Sequence, residues 1–425
     1  MLRLQFCVKS FFLYLRTVKP IYLFNPEHDL ALANGDRHYI APRNIREMAR
    51  DLAELMSITT PLYEESTLQG GASPHPIPWG WDAACTERFK RMGITTPALP
   101  TDGAIAALSR HSERGTAHRL LNAFHQSHPD SIYIGESLIV RSFDELTAYA
   151  MQHRHILLKA PLSGSGKGLR HVKTHPNPPC EGGKSSPVES TSMSTPPPSQ
   201  GGTGGISSWA NALIHRHGYL TAEPYYPKVL DFAMEFITDA TGCHFIGYSL
   251  FVTDNHGRYI GSRLTSDAEI ENTLTGYIPR EVLHEVRRWV IGHHSHIVPP
   301  AWDTAQHPLP FGIDMMIVDM KQWSAISGQQ TEDKSPYALH PCIEINLRMN
   351  MGIVAHELYR HRLTPDATGT YQIARFADNA TLRQFHEEHS QLHPATYHEG
   401  KLSSGYMLLT PITDDTLHLA YALCH

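Results

Sequence analysis

Hydrophobic positions along this chain fall into short runs separated by polar, proline- or glycine-rich stretches. Ile21-Tyr22-Leu23-Phe24 is apolar and stops at Asn25-Pro26, which predicts a buried strand and a turn. From Asn44 to Met56 the period changes. Ile45, Met48, Leu52 and Leu55 recur at helical spacing and predict one amphipathic helix with Asn44 as its N-cap. Strand followed by helix predicts an open α/β layer at the start of the chain. His75-Pro76-Ile77-Pro78-Trp79-Gly80-Trp81 reads as a loop.

Further along, Ile156–Lys159 and Gly168–Lys173 predict two strands of a hairpin around a Gly/Ser loop. Between 176 and 205 Pro, Gly, Ser and Thr dominate. Such a tract buries too little apolar surface to offset its ordering entropy and reads as a disordered insertion. A helix is predicted over Ser208–His217. Strands follow over Phe232–Ile237, His244–Val252 and Tyr259–Gly261, with Asn255-His256-Gly257 as the turn between the last two. A helix over Arg280–Gly292 precedes strands Gly312–Val318 and Cys342–Arg348, which a polar loop from Trp323 to Tyr337 separates. A helix over Asn379–His389 and a strand over Tyr406–Leu409 complete an α/β pattern.

Composition narrows the class only a little. The chain has 425 residues, 41% hydrophobic and 18% charged, which excludes a fibrous or wholly disordered protein and allows two or three packed units. A net charge of −6 argues against generic nucleic-acid binding. Six scattered cysteines without a CxxC pair argue against a zinc ribbon or disulfide framework and fit a reducing cytoplasm. No run approaches the roughly 18 apolar residues of a membrane span. Phe11–Leu15 is greasy but closely flanked by Lys9 and Arg16, so residues 1–18 read as an N-terminal extension and not a signal peptide. The 29 histidines include His293-His294-Ser295-His296 and His356…His361, neither spaced like a zinc helix.

The strongest chemical signal is Cys342-Ile343-Glu344-Ile345-Asn346-Leu347-Arg348. Alternation in a strand sends Ile343, Ile345 and Leu347 to one face and Glu344, Asn346 and Arg348 to the other. A carboxylate, an amide and a guanidinium in one row suit a hard cation and an anionic ligand, and are costly to bury without one. Phe311-Gly312-Ile313-Asp314-Met315-Met316-Ile317-Val318 is an apolar run with one carboxylate, Asp314. If the two strands are antiparallel neighbours, Asp314 comes close to Glu344 and Asn346. The second signal is Lys159 followed by Ser163-Gly164-Ser165-Gly166-Lys167-Gly168. A P-loop would need glycine where Pro161 stands and Ser or Thr where Gly168 stands, so a phosphate-covering hairpin is the alternative. The third, weaker by itself, is Ala222-Glu223-Pro224-Tyr225-Tyr226 followed by Asp231-Phe232-Ala233-Met234-Glu235-Phe236. It reads as a segment joining two subdomains that could face a nucleotide.

In this order the three signals resemble the ATP-grasp superfamily, to which D-alanine–D-alanine ligase, biotin carboxylase and glutathione synthetase belong. The resemblance covers roughly residues 20–363. It implies an N-terminal α/β unit over 19–115, a lid over 116–222 and a metal-bearing unit over 223–363, with 364–425 as a C-terminal extension. It also implies an ATP- and Mg²⁺-dependent ligase that activates a carboxylate as an acyl phosphate for an amine or similar nucleophile. By the resemblance Lys159 contacts phosphates, the 163–168 loop covers them, and Glu223 and Tyr225 belong to the nucleotide hinge. Asp314, Glu344 and Asn346 would hold Mg²⁺, and Arg348 would stabilise the transferred phosphoryl group. Substrate-facing candidates are Asn25–Asp29, Arg263, and Asn350, Met351 and Gly352. Expected partners are a small-molecule carboxylate and amine, without nucleic acid or membrane, and a homodimer is allowed. A small-molecule kinase and a non-catalytic ATP-binding module remain the rivals.

Overall fold

The computed structural model describes residues 20–65, 75–95, 97–163, 168–173, 203–253, 259–328 and 335–425. The expectations for residues 1–18, for the insertion up to residue 202, for Gly164–Lys167 and for the turn at Asn255–Gly257 lie outside these residues.

Strands β1 (Pro20–Leu23) and β2 (His75–Pro78) pair in parallel, Pro20 opposite His75 and Leu23 opposite Pro78. The Pro/Trp segment is therefore a strand and not the loop that its prolines suggest. Proline is tolerated there because a two-stranded sheet has only edges. The helix expected over 44–56 is broken. One helix runs Arg43–Asp51 with Pro42 as its N-cap, in place of Asn44, and a short one runs Leu55–Ile58. Pro42 fixes an extended φ/ψ just ahead of the first turn, one residue before Asn44 could cap.

A four-stranded sheet contains β3 (Leu138–Val140), β4 (His155–Lys159), β5 (Leu169–Lys173) and β6 (Leu220–Pro224), in the order β3-β6-β4-β5. Ile156, Leu158, Leu220 and Ala222 form its core with Leu146, Tyr149 and Ala210 from helices Phe143–Gln152 and Thr203–His217. The large sheet contains β7 (Lys228–Asp239), β8 (Gly242–Thr253), β9 (Tyr259–Leu264), β10 (Leu309–Asp319), β11 (Tyr337–Asn346), β12 (Gly369–Arg375), β13 (Thr396–His398), β14 (Lys401–Leu408) and β15 (His418–Cys424). Its order is β11-β10-β7-β8-β9-β12-β15-β14-β13, and adjacent pairs are antiparallel.

Helix Arg280–Gly292 forms as expected, burying Leu283, Val286, Trp289 and Val290 along one stripe. The polar segment after β10 is not loop from its start, because helix Met320–Ser327 begins at once. Asp319 caps it, accepting from the Gln322 N–H at 2.9 Å. Among the described residues no helix is long and apolar enough to cross a membrane.

Candidate active site

Register builds the site. β10 and β11 run antiparallel with Asp314 directly opposite Glu344 and Gly312 opposite Asn346. The side chains of Asp314, Glu344 and Asn346 therefore share one face, and the Asn346 Nδ2 donates to both Asp314 oxygens at 3.3 and 3.2 Å. Two carboxylates side by side repel. Burial, then Glu344 and Glu235, push the Asp314 carboxyl well above the usual carboxylate range.

Arg348 stands two residues past the end of β11. Its Nε and Nη2 donate to the two Asp29 oxygens at 3.1 and 2.8 Å, and Nη1 donates to the Met349 carbonyl at 3.1 Å. Burial alone would raise the Asp29 carboxyl, but the guanidinium fork overrides it and lowers it to about 2. Asp29 stands in the first turn of helix His28–Asn34, so this fork ties the segment after β1 to the end of β11.

Other members of the Asn25–Asp29 segment are committed to structure. Asn25 donates to the Gly80 carbonyl at 2.8 Å and to Asp82 at 3.0 Å, and Glu27 pairs with Arg88 at 2.5 Å. His28 is buried flat against the backbone of Gly80, where a Cβ would stand 2.5 Å from the imidazole. Only glycine permits that approach.

Lys159, at the end of β4, is buried and pairs with Glu223 Oε2 at 2.5 Å. Its Nζ also lies 3.5 Å from the carbonyl of Ile343, next to Glu344. The pair fits the register of β4 and β6, where Leu157 opposes Glu223 and Lys159 opposes Thr221. Gly168 accepts from the Ala160 N–H at 2.9 Å, closing the loop that contains Ser163. Tyr225 stacks on His155 with centroids 4.2 Å apart, and its N–H donates to the His155 carbonyl at 2.9 Å.

A cleft lined by Asp29, Arg114, Ser163, Glu344, Asn346 and Arg348 brings the lid loop, the acidic strand and the N-terminal segment together. Arg263 is not among its lining residues; it is exposed on β9 opposite Thr370. Asn350 instead caps helix Met351–Arg362, accepting from the Ile353 N–H at 3.0 Å. Its Nδ2 donates to Glu235 at 2.7 Å. Met351 and Gly352 open that helix and are likewise absent from the cleft lining.

Arg114, which lines the cleft, and Glu235, which lies outside its lining, were not read as site residues from the sequence. Arg114 opens helix Arg114–Ser127 and is almost buried. It donates to the Ala160 carbonyl at 3.1 Å, lies 3.4 Å from Ser163 Oγ, and pairs with Glu344 at 3.1 Å. Nothing local separates it from an ordinary arginine at a helix start. Glu235 is 1% exposed on β7, and accepts from Ser249 Oγ at 2.8 Å and from Asn350. Burial raises its carboxyl to about 7. A lone carboxylate in the apolar run Phe232–Ile237 is the same signal that marked Asp314.

In the histidine-rich segments His293, His294 and His356 have local partners. His293 stacks on Trp289 and His294 Nδ1 lies 2.8 Å from the Ile291 carbonyl, while His356 sits between Asp267 and Glu357 at 3.2 Å from each. Among the described residues no three His, Cys, Asp or Glu side chains form a metal-holding group.

No protein-family model matches the chain, and no curated protein matches it in sequence. Solved structures do. N5-carboxyaminoimidazole synthetase from Staphylococcus aureus, complexed with ADP, shares 9% identity over 96% of this chain and 93% of its own, with a TM-score of 0.42. Biotin carboxylase from Campylobacter jejuni shares 10% over 96% and 87%, with a TM-score of 0.43. L-amino acid ligase from Bacillus licheniformis shares 9% over 96% and 93%, with a TM-score of 0.42.

Proposed function

We propose that this chain is an ATP- and Mg²⁺-dependent ligase of the ATP-grasp type, which activates a carboxylate as an acyl phosphate for an amine or similar nucleophile. The observation that carries the reading is the direct pairing of Asp314 with Glu344, with Asn346 across both Asp314 oxygens. Two half-buried carboxylates held opposite one another repel, and a divalent cation removes that cost. Two carboxylates and an amide fit Mg²⁺, which takes few protein ligands and completes its shell with phosphate oxygens and water. When bound, the ion would supply charge neutralisation to the phosphates.

The rest of the machinery follows from position. Lys159, exchanging Glu223 for phosphate, would fix the triphosphate. Ser163, Gly164, Ser165, Gly166, Lys167 and Gly168 would form the covering loop. Glu223 and the ring of Tyr225 would face the nucleoside. Arg348, held by Asp29, would neutralise the phosphoryl group as it passes to the substrate carboxylate oxygen and ADP leaves. In this reading the lid spans 116–222 and the metal-bearing unit 223–363, and the partners are small molecules.

Incubation with MgATP, pooled carboxylates and hydroxylamine tests the reaction class. Hydroxylamine intercepts an acyl phosphate as a hydroxamate, so carboxylate-dependent hydroxamate with matching ADP is the expected result. A stable phosphorylated product without hydroxamate would identify a kinase instead.

A further inference from the structure

Arg114 pairs with one of the carboxylates that a metal needs. Its Nη2 lies 3.1 Å from Glu344 Oε1, on the strand where Glu344 stands opposite Asp314. The neighbouring cations are committed elsewhere, Lys159 to Glu223 and Arg348 to both Asp29 oxygens. Arg114 is therefore the internal cation of the Asp314–Glu344 couple.

The guanidinium is fixed from several sides. Nε donates to the Ala160 carbonyl at 3.1 Å, the backbone N–H of Arg114 donates to the Pro161 carbonyl at 2.9 Å, and Nη2 lies 3.4 Å from Ser163 Oγ. The Arg114 side chain is 7% exposed against 30% for Glu344, so the cation is the buried partner and the carboxylate the accessible one. Asp314 is compensated as well, because Asn346 turns its Nδ2 to both carboxylate oxygens. An amide holds a cation through its oxygen, so this side chain has to turn before it can serve as a ligand.

We propose that Arg114 is a built-in counter-cation of the Asp314–Glu344–Asn346 site. It occupies Glu344 and keeps a free divalent cation out, so that the metal enters together with an anion that draws the guanidinium away. The proposal rests on the ligase reading for the identity of the cation site. Competition for Glu344 and repulsion between the guanidinium and a divalent ion act in the same direction. Because Arg114 also holds Ala160 and Pro161, exchange at Glu344 is transmitted to the segment that leads into the 163–168 loop.

Mn²⁺ titration of the full chain, followed by the electron paramagnetic resonance signal of the free ion, tests this without turnover. In the absence of nucleotide, Arg114→Gln is expected to bind Mn²⁺ roughly tenfold more tightly than wild type. Arg114→Lys keeps a positive charge and is expected to stay close to wild type, and adding Glu344→Gln to Arg114→Gln is expected to abolish the gain. A merely structural arginine would lower the melting temperature of Arg114→Gln with no special response to Mn²⁺. The counter-cation predicts a larger Mn²⁺-dependent rise in Arg114→Gln than in wild type. Equal Mn²⁺ affinity in wild type and Arg114→Gln, with wild type still binding MgATP, would overturn the proposal and leave the ligase reading intact. A gain in Arg114→Gln without MgATP binding by wild type would keep the counter-cation and overturn the ligase reading. If Arg114→Gln does not fold, wild type decides: tight nucleotide-free Mn²⁺ binding that Glu344→Gln abolishes would overturn the proposal, and its absence beside intact MgATP binding would support it.

Discussion

At the residue scale the Asp29–Arg348 fork has a defined pH window. The folded-state carboxyl lies near 2, below its ordinary value of 3.8, so its contribution is full above about pH 4 and is lost as pH falls toward 2. Asp29→Asn is expected to lower stability by roughly 1–2 kcal/mol at pH 6, and the gap from wild type should close by pH 2 in acid-unfolding curves. Glu235 has the opposite sign. Burial raises its carboxyl to about 7, so its cost grows as pH rises from the ordinary carboxylate range through 7. Thermal melts should therefore show Glu235→Gln gaining on wild type between pH 5 and pH 8, whereas a pH-independent difference would contradict the assigned environment. Alternation within Cys342–Arg348 and the isolated charge of Asp314 were legible in the sequence, because a strand's period of two needs no tertiary information. The partners of Arg348 and Lys159 were not, since Asp29 and Glu223 lie far away along the chain.

At the element scale β10 and β7 meet where Gly312 opposes Glu235. A Cβ at Gly312 would collide with the Glu235 carboxylate and stand 2.5 Å from Asn350 Nδ2. Gly312→Ala is thus expected to cost about 1–3 kcal/mol in chemical denaturation, because the Glu235–Asn350–Ser249 network has to shift. An unchanged midpoint would show that this network gives way freely. Long periodic elements were legible: Arg280–Gly292 and the strands from Phe232 onward come from continuous patterns. The β1–β2 pair was only half legible. Prolines 76 and 78 signal a loop locally, and parallel pairing across more than fifty residues has no local signature. The pairing of β12 and β15 is equally non-local, so neither strand stood out.

At the scale of the whole molecule, the C-terminal residues are part of the main sheet. β12 lies between β9 and β15, and Tyr371, Leu402, Ala420 and Ala422 pack with Leu52, Leu55, Ile353 and Leu358. Ending the chain at Leu363 would expose the β9 edge and this core, so the truncated protein is expected in the insoluble fraction; a soluble, cooperatively melting product would contradict that. The central claim is that Lys159 and the Asp314–Glu344–Asn346 strand form one MgATP site. Calorimetric titration of MgATP into wild type, Lys159→Ala and Glu344→Ala tests it most directly. Loss of a desolvated charge contact to phosphate costs about 2 kcal/mol, so each variant is predicted to bind roughly 30-fold more weakly than wild type. Well-folded wild type that does not bind MgATP, or variants that bind it as tightly as wild type, would contradict the account.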